Sequence, residues 1–393
     1  MIRWLVGLLA LSLAATQTLA ADSTDIGIGY LGRAGVKQTL SLVEQPADND
    51  GIAGARLAID DNNTTGKFLN QRFKLEERRL KDGEDAAKAA TELAERNSFI
   101  VADLPADALL KAADALRDRG TLLLNAGAID ERLREADCRA NVIHTAPTRA
   151  MLADALGQYL VWKQWKRWLL VVGSHDEDKL FADALRRTAT RFGAKIVQER
   201  TFEDAGGARR TDSGVTLIQR QMPVFTQQAP AYDVLVAADE SEVFANYLPY
   251  RTWDPRPVAG SAGLVPRSWD AAQDQWGAVQ MQNRFIKLNQ RRMTALDMQA
   301  WTAVRIIGEA TSRTNSGDTK KVTDFIRGPD FSVAAFKGTR LTLRDWNLQL
   351  RQPILLVDGR MVVSVSPQEG FLHQVSELDT LGYDRPESKC KLK

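Results

Sequence analysis

Short apolar segments and amphipathic segments alternate along this chain with a regularity that leaves few folds open. The run "DIGIGYLG" (25–32) has the length and glycine punctuation of a buried strand, and "GIAGARLAIDDNN" follows it with Ile52, Ala55 and Ile59 at helical spacing. "RFKLEERRL" reads as a second strand, "EDAAKAATELAER" as a second helix, "SFIVA" as a third strand and "ADALLKAADALRD" as its helix, with Leu109, Ala112 and Leu116 on one face. "TLLLN" closes this series. Strands separated by helices of this length predict βαβ units and a parallel sheet.

The same grammar then starts again. A helix is expected over about 149–166, then strand "WLLVV", helix "DKLFADALRRTATRF", strand "KIVQE", strand "DVLVAA" and helix "SEVFANYL". Two successive units follow from this, with their junction near "VIHTAPTRA" (142–150). Farther on, "GAVQMQ" looks like a strand, and "TALDMQAWTAVRIIGEA" is a long helix whose apolar stripe is Leu296, Ala300, Ala303, Ile307 and Ala310. "PILLVDGRMVVSV" has a hairpin pattern turning at Asp358 and Gly359. The segment "EDAGGARRTDSG" (203–214) is expected to be a mobile surface loop. The predicted fold class is α/β: two Rossmann-like βαβ lobes joined by a hinge. Lobe 1 is placed at 21–145 with 278–340 returning to it, and lobe 2 at 146–277 with 341–393 returning to it.

The N-terminal stretch "MIRWLVGLLALSLAATQTLAADST" combines Arg3, an apolar run and small residues at Ala20 and Ala21, which is the pattern of a secretory signal peptide over residues 1–20. A periplasmic location is expected. Lys plus Arg number 52 against 50 Asp plus Glu, so no global field draws the protein to nucleic acid or lipid. The two cysteines, Cys138 and Cys390, form an even pair in an oxidising compartment and predict one disulfide, with two free thiols as the alternative. Three histidines far apart and no Cys/His spacing argue against a zinc site, and "DNDG" (48–51) lacks the remaining ligands of a calcium loop, so capping of the next helix is expected there. No metal is expected. No G-x-S-x-G, P-loop, G-x-G-x-x-G at a strand–helix turn or HExxH occurs, so an enzyme is not expected and no catalytic residue or cofactor is assigned.

In order, "GIAGARLAIDDNN", the crossover near "TAPTRA", the helix "LDMQAWTAVRIIGEA", the segment "FKGTRLTLRDWN" and the hairpin "QPILLVDGRMVV" resemble the type I periplasmic solute-binding proteins, the branched-chain amino acid binding family. The chain departs from that family's pattern in two places: "VADLPAD" stands where a Gly/Ser-rich turn usually receives an amino acid carboxylate, and Trp301 replaces a helix tyrosine. "LPYRTWDPRPVAGSAGLVPRSW" (248–269) and "WGAVQMQNRF" are similar to a subgroup associated with alcohol oxidation dependent on pyrroloquinoline quinone (PQQ). The resemblance implies PQQ or a related aromatic polycarboxylate as the bound ligand. It implies an ABC importer or a quinoprotein dehydrogenase as partner, and a monomer. The alternatives are an amino acid or amide binding protein of an ABC importer, and a sensor or assembly module with no small ligand.

PQQ is flat and carries three carboxylates, so a site for it should offer guanidinium groups and indole faces. The stretch 248–269 supplies Arg251, Trp253, Arg267 and Trp269. Arg251, Arg256 and Trp253 read equally well as solvated charges and a ring capping the second core. From the first lobe, Arg33 and Asn125 hold strand-end positions, and the backbone N–H groups of Ala126 and Gly127 offer a place for an anion. Asp176 or Asp178 in "GSHDEDK" is expected to cap a helix.

Overall fold

The computed structural model describes residues 23–34, 46–204 and 218–392. The expected signal peptide and most of the expected 203–214 loop lie outside these residues. No helix among them is long and apolar enough to cross a membrane.

The first unit runs β1 (Thr24–Arg33), α1 (Ile52–Gly66), β2 (Gln71–Leu80), α2 (Ala86–Ala94), β3 (Phe99–Asp103), α3 (Ala106–Leu116), β4 (Leu122–Asn125) and β5 (Val142–His144). Its strands form a parallel five-stranded sheet in the order β2-β1-β3-β4-β5. Alternate residues of β3 feed two different cores: Phe99 and Val101 face one, Ile100 and Ala102 the other. This is the near-continuous apolar run that a strand covered on both faces requires. Helices α2 and α3 cover the second face, through Ala89, Leu93, Leu109 and Leu116.

The second unit runs α4 (Arg149–Trp162), β6 (Arg167–Gly173), α5 (Asp176–Phe192), β7 (Lys195–Phe202), α6 (Ile218–Thr226), β8 (Val234–Ala238), β9 (Val258–Gly260) and β10 (Val265–Arg267). Strands β6 to β9 make a four-stranded parallel sheet ordered β7-β6-β8-β9. Helices α7 (Ala278–Asn289), α8 (Ala295–Thr314) and α9 (Thr319–Arg327) then return to the first core. The closing strands are β11 (Val333–Ala334), β12 (Arg340–Leu341), β13 (Ile354–Val357) and β14 (Val362–Ser366). The last two form the expected hairpin, which joins β10 in a three-stranded sheet and turns at Asp358, whose carboxylate accepts from the N–H groups of Arg360 and Met361. Among the described residues the chain passes between the first core and the second between Ile143 and Met151, between Ala259 and Trp269 and between Leu350 and Ile354, and its tail returns to the first core between Leu381 and Leu392.

Two local expectations are corrected. "GAVQMQ" belongs to α7, because Ala278, Met281 and Phe285 recur at helical spacing and are buried together; the short alternation of Val279 and Met281 imitated a strand. "SEVFANYL" is no α-helix: Asp239 accepts from the N–H groups of Val243, Phe244 and Ala245, which bends the chain into a turn before a short 3-10 segment at Ala245–Tyr250. The late segment "FKGTRLTLRDWN" contributes only the two-residue β12.

Helices α1 and α8 approach so closely that a Cβ on Gly54 would lie 1.8 Å from the Asp297 carbonyl oxygen. Asp297, in the first turn of α8, also accepts from the Gly51 N–H at 2.9 Å and from Arg291 at 2.5 Å. The start of α1 is thereby tied to the start of α8, and both helix N-termini are presented on the same side as the carboxyl ends of β1 and β3. The expected disulfide is present, joining Cys138 to Cys390 with Cα atoms 5.6 Å apart.

Candidate functional site

In a sheet ordered β2-β1-β3-β4-β5 the connections after β1 and β3 leave in opposite directions, which opens a crevice at their carboxyl ends. A cavity of about 430 Å³ lies there. Tyr30 and Arg33 reach it from β1, Arg79 and Asp82 from the end of β2, Asp103 from the end of β3, Asp48 and Asp50 from the approach to α1, and Leu296 from α8. All its lining residues belong to the first sheet, to Leu296 of α8 or to the segments that follow β1 and β2 and precede α1.

The electrostatics are set by Asp103. Burial raises its carboxyl to about 6, against which the nearby Arg33 guanidinium and a hydrogen bond from the Tyr30 hydroxyl, 3.4 Å away, act only in part. Asp50 is also pushed up, first by burial and then by the neighbouring Asp297 charge. Burial and the Asp103 charge raise Tyr30, which stays a neutral hydrogen-bonding hydroxyl. The wall therefore offers a carboxyl raised to about 6, a phenol and two guanidiniums, with four carboxyls in total. Such a surface receives a ligand that donates hydrogen bonds or carries a cation as well as one that brings a single carboxylate to Arg33 or Arg79.

The expected site residues are dispersed. Arg33 lies in the cavity wall. Asn125 is fully buried and closes its own turn, accepting from the Ala128 N–H at 2.9 Å and donating to the Ala128 carbonyl at 2.8 Å. The Ala126 N–H donates to the Ala102 carbonyl at 2.9 Å and the Gly127 N–H to Asn125 Oδ1 at 3.3 Å, so neither points an unused donor at an anion. Arg251 is exposed beyond the 3-10 segment, and the Trp253 ring is 60% exposed on the outer surface of the second unit. Arg267 is exposed and paired with Asp270 at 2.9 Å. Trp269 is 1% exposed and packs in the first core with Met281, Phe285 and Met298. The stretch 248–269 thus does not gather its cations and rings around one cavity: its end turns inward to pack and its start faces solvent.

At the matching strand ends of the second sheet, the carboxylates are structural. Asp178 accepts from the His175 N–H at 3.2 Å and the Ser241 N–H at 2.9 Å, as a helix-capping group. Asp176 is exposed and bonds to Lys179. At "DNDG", Gly51 rather than an aspartate occupies the cap position of α1, and no side chain caps it. Among the described residues no cluster of His, Cys, Asp or Glu could hold a metal ion.

Sequence reasoning did not nominate Asp103, Tyr30, Asp50 or Arg79. One signal was present: Asp103 sits in "VADLPAD", the segment in which the chain departs from a Gly/Ser-rich turn.

A periplasmic binding protein family model matches residues 33–212. The fold is similar to that of an amino acid ABC transporter substrate-binding protein from Pseudomonas fluorescens, with a TM-score of 0.69, 11% identity and coverage of 95% of this chain and 100% of that one. A periplasmic binding protein from Burkholderia mallei gives 0.68, 16%, 94% and 99%, in the same order. A solute-binding protein of an ABC transporter from Rhodopseudomonas palustris, solved with 3,4-dihydroxybenzoic acid, gives 0.62, 13%, 87% and 97%. No curated protein is significantly similar to the chain.

Proposed function

We propose that this chain, which carries the type I periplasmic binding protein fold and matches that family over residues 33–212, is an exported solute-binding protein serving an ABC importer. The observation that carries this reading is the cavity at the carboxyl ends of β1 and β3, the crevice where open α/β sheets take ligands, walled by one unit only. The first three chain crossings between the two cores supply a hinge about which the second unit closes over a bound solute.

The wall chemistry ranks the ligands. PQQ would set three carboxylates against Arg33 and Arg79 in a pocket that also holds Asp48, Asp50, Asp82 and Asp103. A solute with a cationic or amide group beside at most one carboxylate fits that balance better, so we place an amino acid or amide first and PQQ or another aromatic polycarboxylate second. The aromatic acid bound by the Rhodopseudomonas palustris relative keeps the second reading in view.

Calorimetric titration of the mature protein with leucine, glutamine, 3,4-dihydroxybenzoate and PQQ tests both. The expected result is binding of an amino acid or amide that weakens about tenfold or more in Asp103→Asn, as loss of a hydrogen bond to a charged group would cause. Small-angle scattering should then show a smaller radius of gyration with the bound solute. Tight PQQ binding that is indifferent to Asp103 would reverse the ranking.

A further inference from the structure

A second cavity, of about 410 Å³, opens on the flank of the first unit's helices. The indoles of Trp276 and Trp301 and the ring of Phe336 wall it, with Asp61, Arg284 and Arg305 as its charged groups. It is separate from the crevice. Asp61 lies nine residues beyond Ile52 on α1, and Arg305 lies nine beyond Leu296 on α8. At ~1.5 Å of rise per residue, that sets it roughly 14 Å farther along both helices.

The aromatic walls are held in place at a cost. Trp276 and Phe336 both occupy the left-handed backbone region, each with φ 54°, which a bulky side chain adopts only where its surroundings force it. A Cβ on Gly338 would come 2.6 Å from the Trp276 indole, so that glycine makes room for the ring, whereas one on Gly277 would meet the Phe336 ring only at an ordinary contact of 3.4 Å. Trp301 and Phe336 pack with the first core, but Trp276 does not, because it remains 47% exposed. Trp301 and Phe336 stand with ring centroids 5.6 Å apart and tilted by 49°, leaving an open aromatic angle.

The cavity's own charged lining is two guanidiniums and one carboxylate. Asp61 accepts from Trp301 Nε1 at 2.9 Å and is paired with Arg284. Arg305 donates to the Asn62 side-chain oxygen, sits 5.9 Å from the Trp301 ring centroid and forms no ion pair among the described residues. Burial lowers its affinity for the proton, which a carboxylate brought alongside would restore. Asp61, and Glu309 on the next turn of α8, attract Arg305 only from longer range, so its guanidinium has no carboxylate in contact at the cavity wall.

We infer that this flank cavity is a second binding site, for a planar aromatic monocarboxylate whose ring lies against Trp276 and Phe336 and whose carboxylate pairs with Arg305. The volume falls within the range of small-molecule sites. The inference does not depend on the crevice's ligand.

The probe is 2-naphthoate, titrated into the mature protein by calorimetry beside cyclohexanecarboxylate, which has the charge without the flat ring. Trp276→Leu should weaken 2-naphthoate about three- to tenfold, the worth of an aromatic contact. Arg305→Gln should weaken it about tenfold or more, with Arg305→Lys intermediate because lysine lacks the planar fork. Asp103→Asn, in the crevice, should leave the affinity unchanged. Trp276 is half exposed, so its variant should fold as the parent does; circular dichroism checks the arginine variants. No binding at millimolar 2-naphthoate, equal binding of the cyclohexane acid, or an affinity that follows Asp103 rather than Trp276 and Arg305 would each overturn the assignment. The last of these would place the aromatic acid in the crevice without touching the solute-binding reading itself.

Discussion

Asp103→Asn should make the unliganded protein more stable, by an amount that depends on pH in a direction fixed by the crevice. Burial raises the Asp103 carboxyl from 3.8 to about 6 in the folded chain, with Tyr30, Arg33, Asp50 and Arg79 as the groups that face it. A raised carboxylic acid binds its proton more tightly when folded, so between about pH 4 and pH 6 stability falls as pH rises, and above pH 6 the whole penalty of the buried carboxylate is present. The difference of 2.2 units corresponds to about 3 kcal/mol at about 1.4 kcal/mol per unit. Asp103 keeps some contact with solvent, so the effective figure is about 1–3 kcal/mol. At pH 5 only about half of it is in force. Urea unfolding of parent and variant at pH 5 and pH 7.5 measures this directly, since changes at other carboxylates cancel in the comparison. The expected gain for Asp103→Asn is about twice as large at pH 7.5 as at pH 5. A gain that is equal at both, or larger at pH 5, would show that the carboxyl is not raised by its surroundings, and the electrostatic account of the crevice would lose its basis.

Lys337 is 4% exposed beside the third chain crossing, bonds to Gln352 Oε1 at 2.5 Å, and is pushed down to about 7 by burial. The unfolded chain therefore holds the extra proton between pH 7 and about 10.5, parent stability rises through that window, and the stability gain of Lys337→Met over the parent should be largest at pH 7 and shrink by pH 10 in thermal melts. Asp379 is fully buried between Arg344 Nε at 2.8 Å and Arg351 Nε at 2.9 Å, so Asp379→Ala strands two cations and should cost about 3–5 kcal/mol in denaturant unfolding. Replacing both Cys138 and Cys390 by serine opens a loop spanning a sequence separation of 252 and should lower stability by up to about 5 kcal/mol in the chain-entropy account, with the parent matching the double variant once reduced.

The parallel sheets were legible because their strands are buried on both faces and their helices carry a clear apolar stripe; β3, β8 and α8 declare themselves by composition alone. Errors fell where one short-range pattern competed with another. "GAVQMQ" alternates for a few residues before Phe285 extends the helical period, and "SEVFANYL" has helix-forming residues but lies within reach of Asp239, whose carboxylate takes the N–H groups of Val243, Phe244 and Ala245 and fixes a turn there.

The site was harder to read for a reason that is physical. Trp269 and Arg267 are two residues apart, but β10 ends at Arg267, so the strand's alternation does not reach Trp269, which turns into the first core while Arg267 faces solvent, and proximity in sequence gave no proximity around a ligand. Residues from four separate segments meet at the crevice instead: Tyr30 and Arg33, Asp50, Arg79, and Asp103. What makes them a site is the topology, since β1 lies between β2 and β3 in the sheet although it precedes both in the chain. Composition near a binding site matters less than which strand ends adjoin a switch in connection order, and the residue type at those ends then selects the ligand. Here an aspartate occupies the end of β3, where the resemblance would place a Gly/Ser turn, and the proposed preference for a hydrogen-bond donor follows from that residue type.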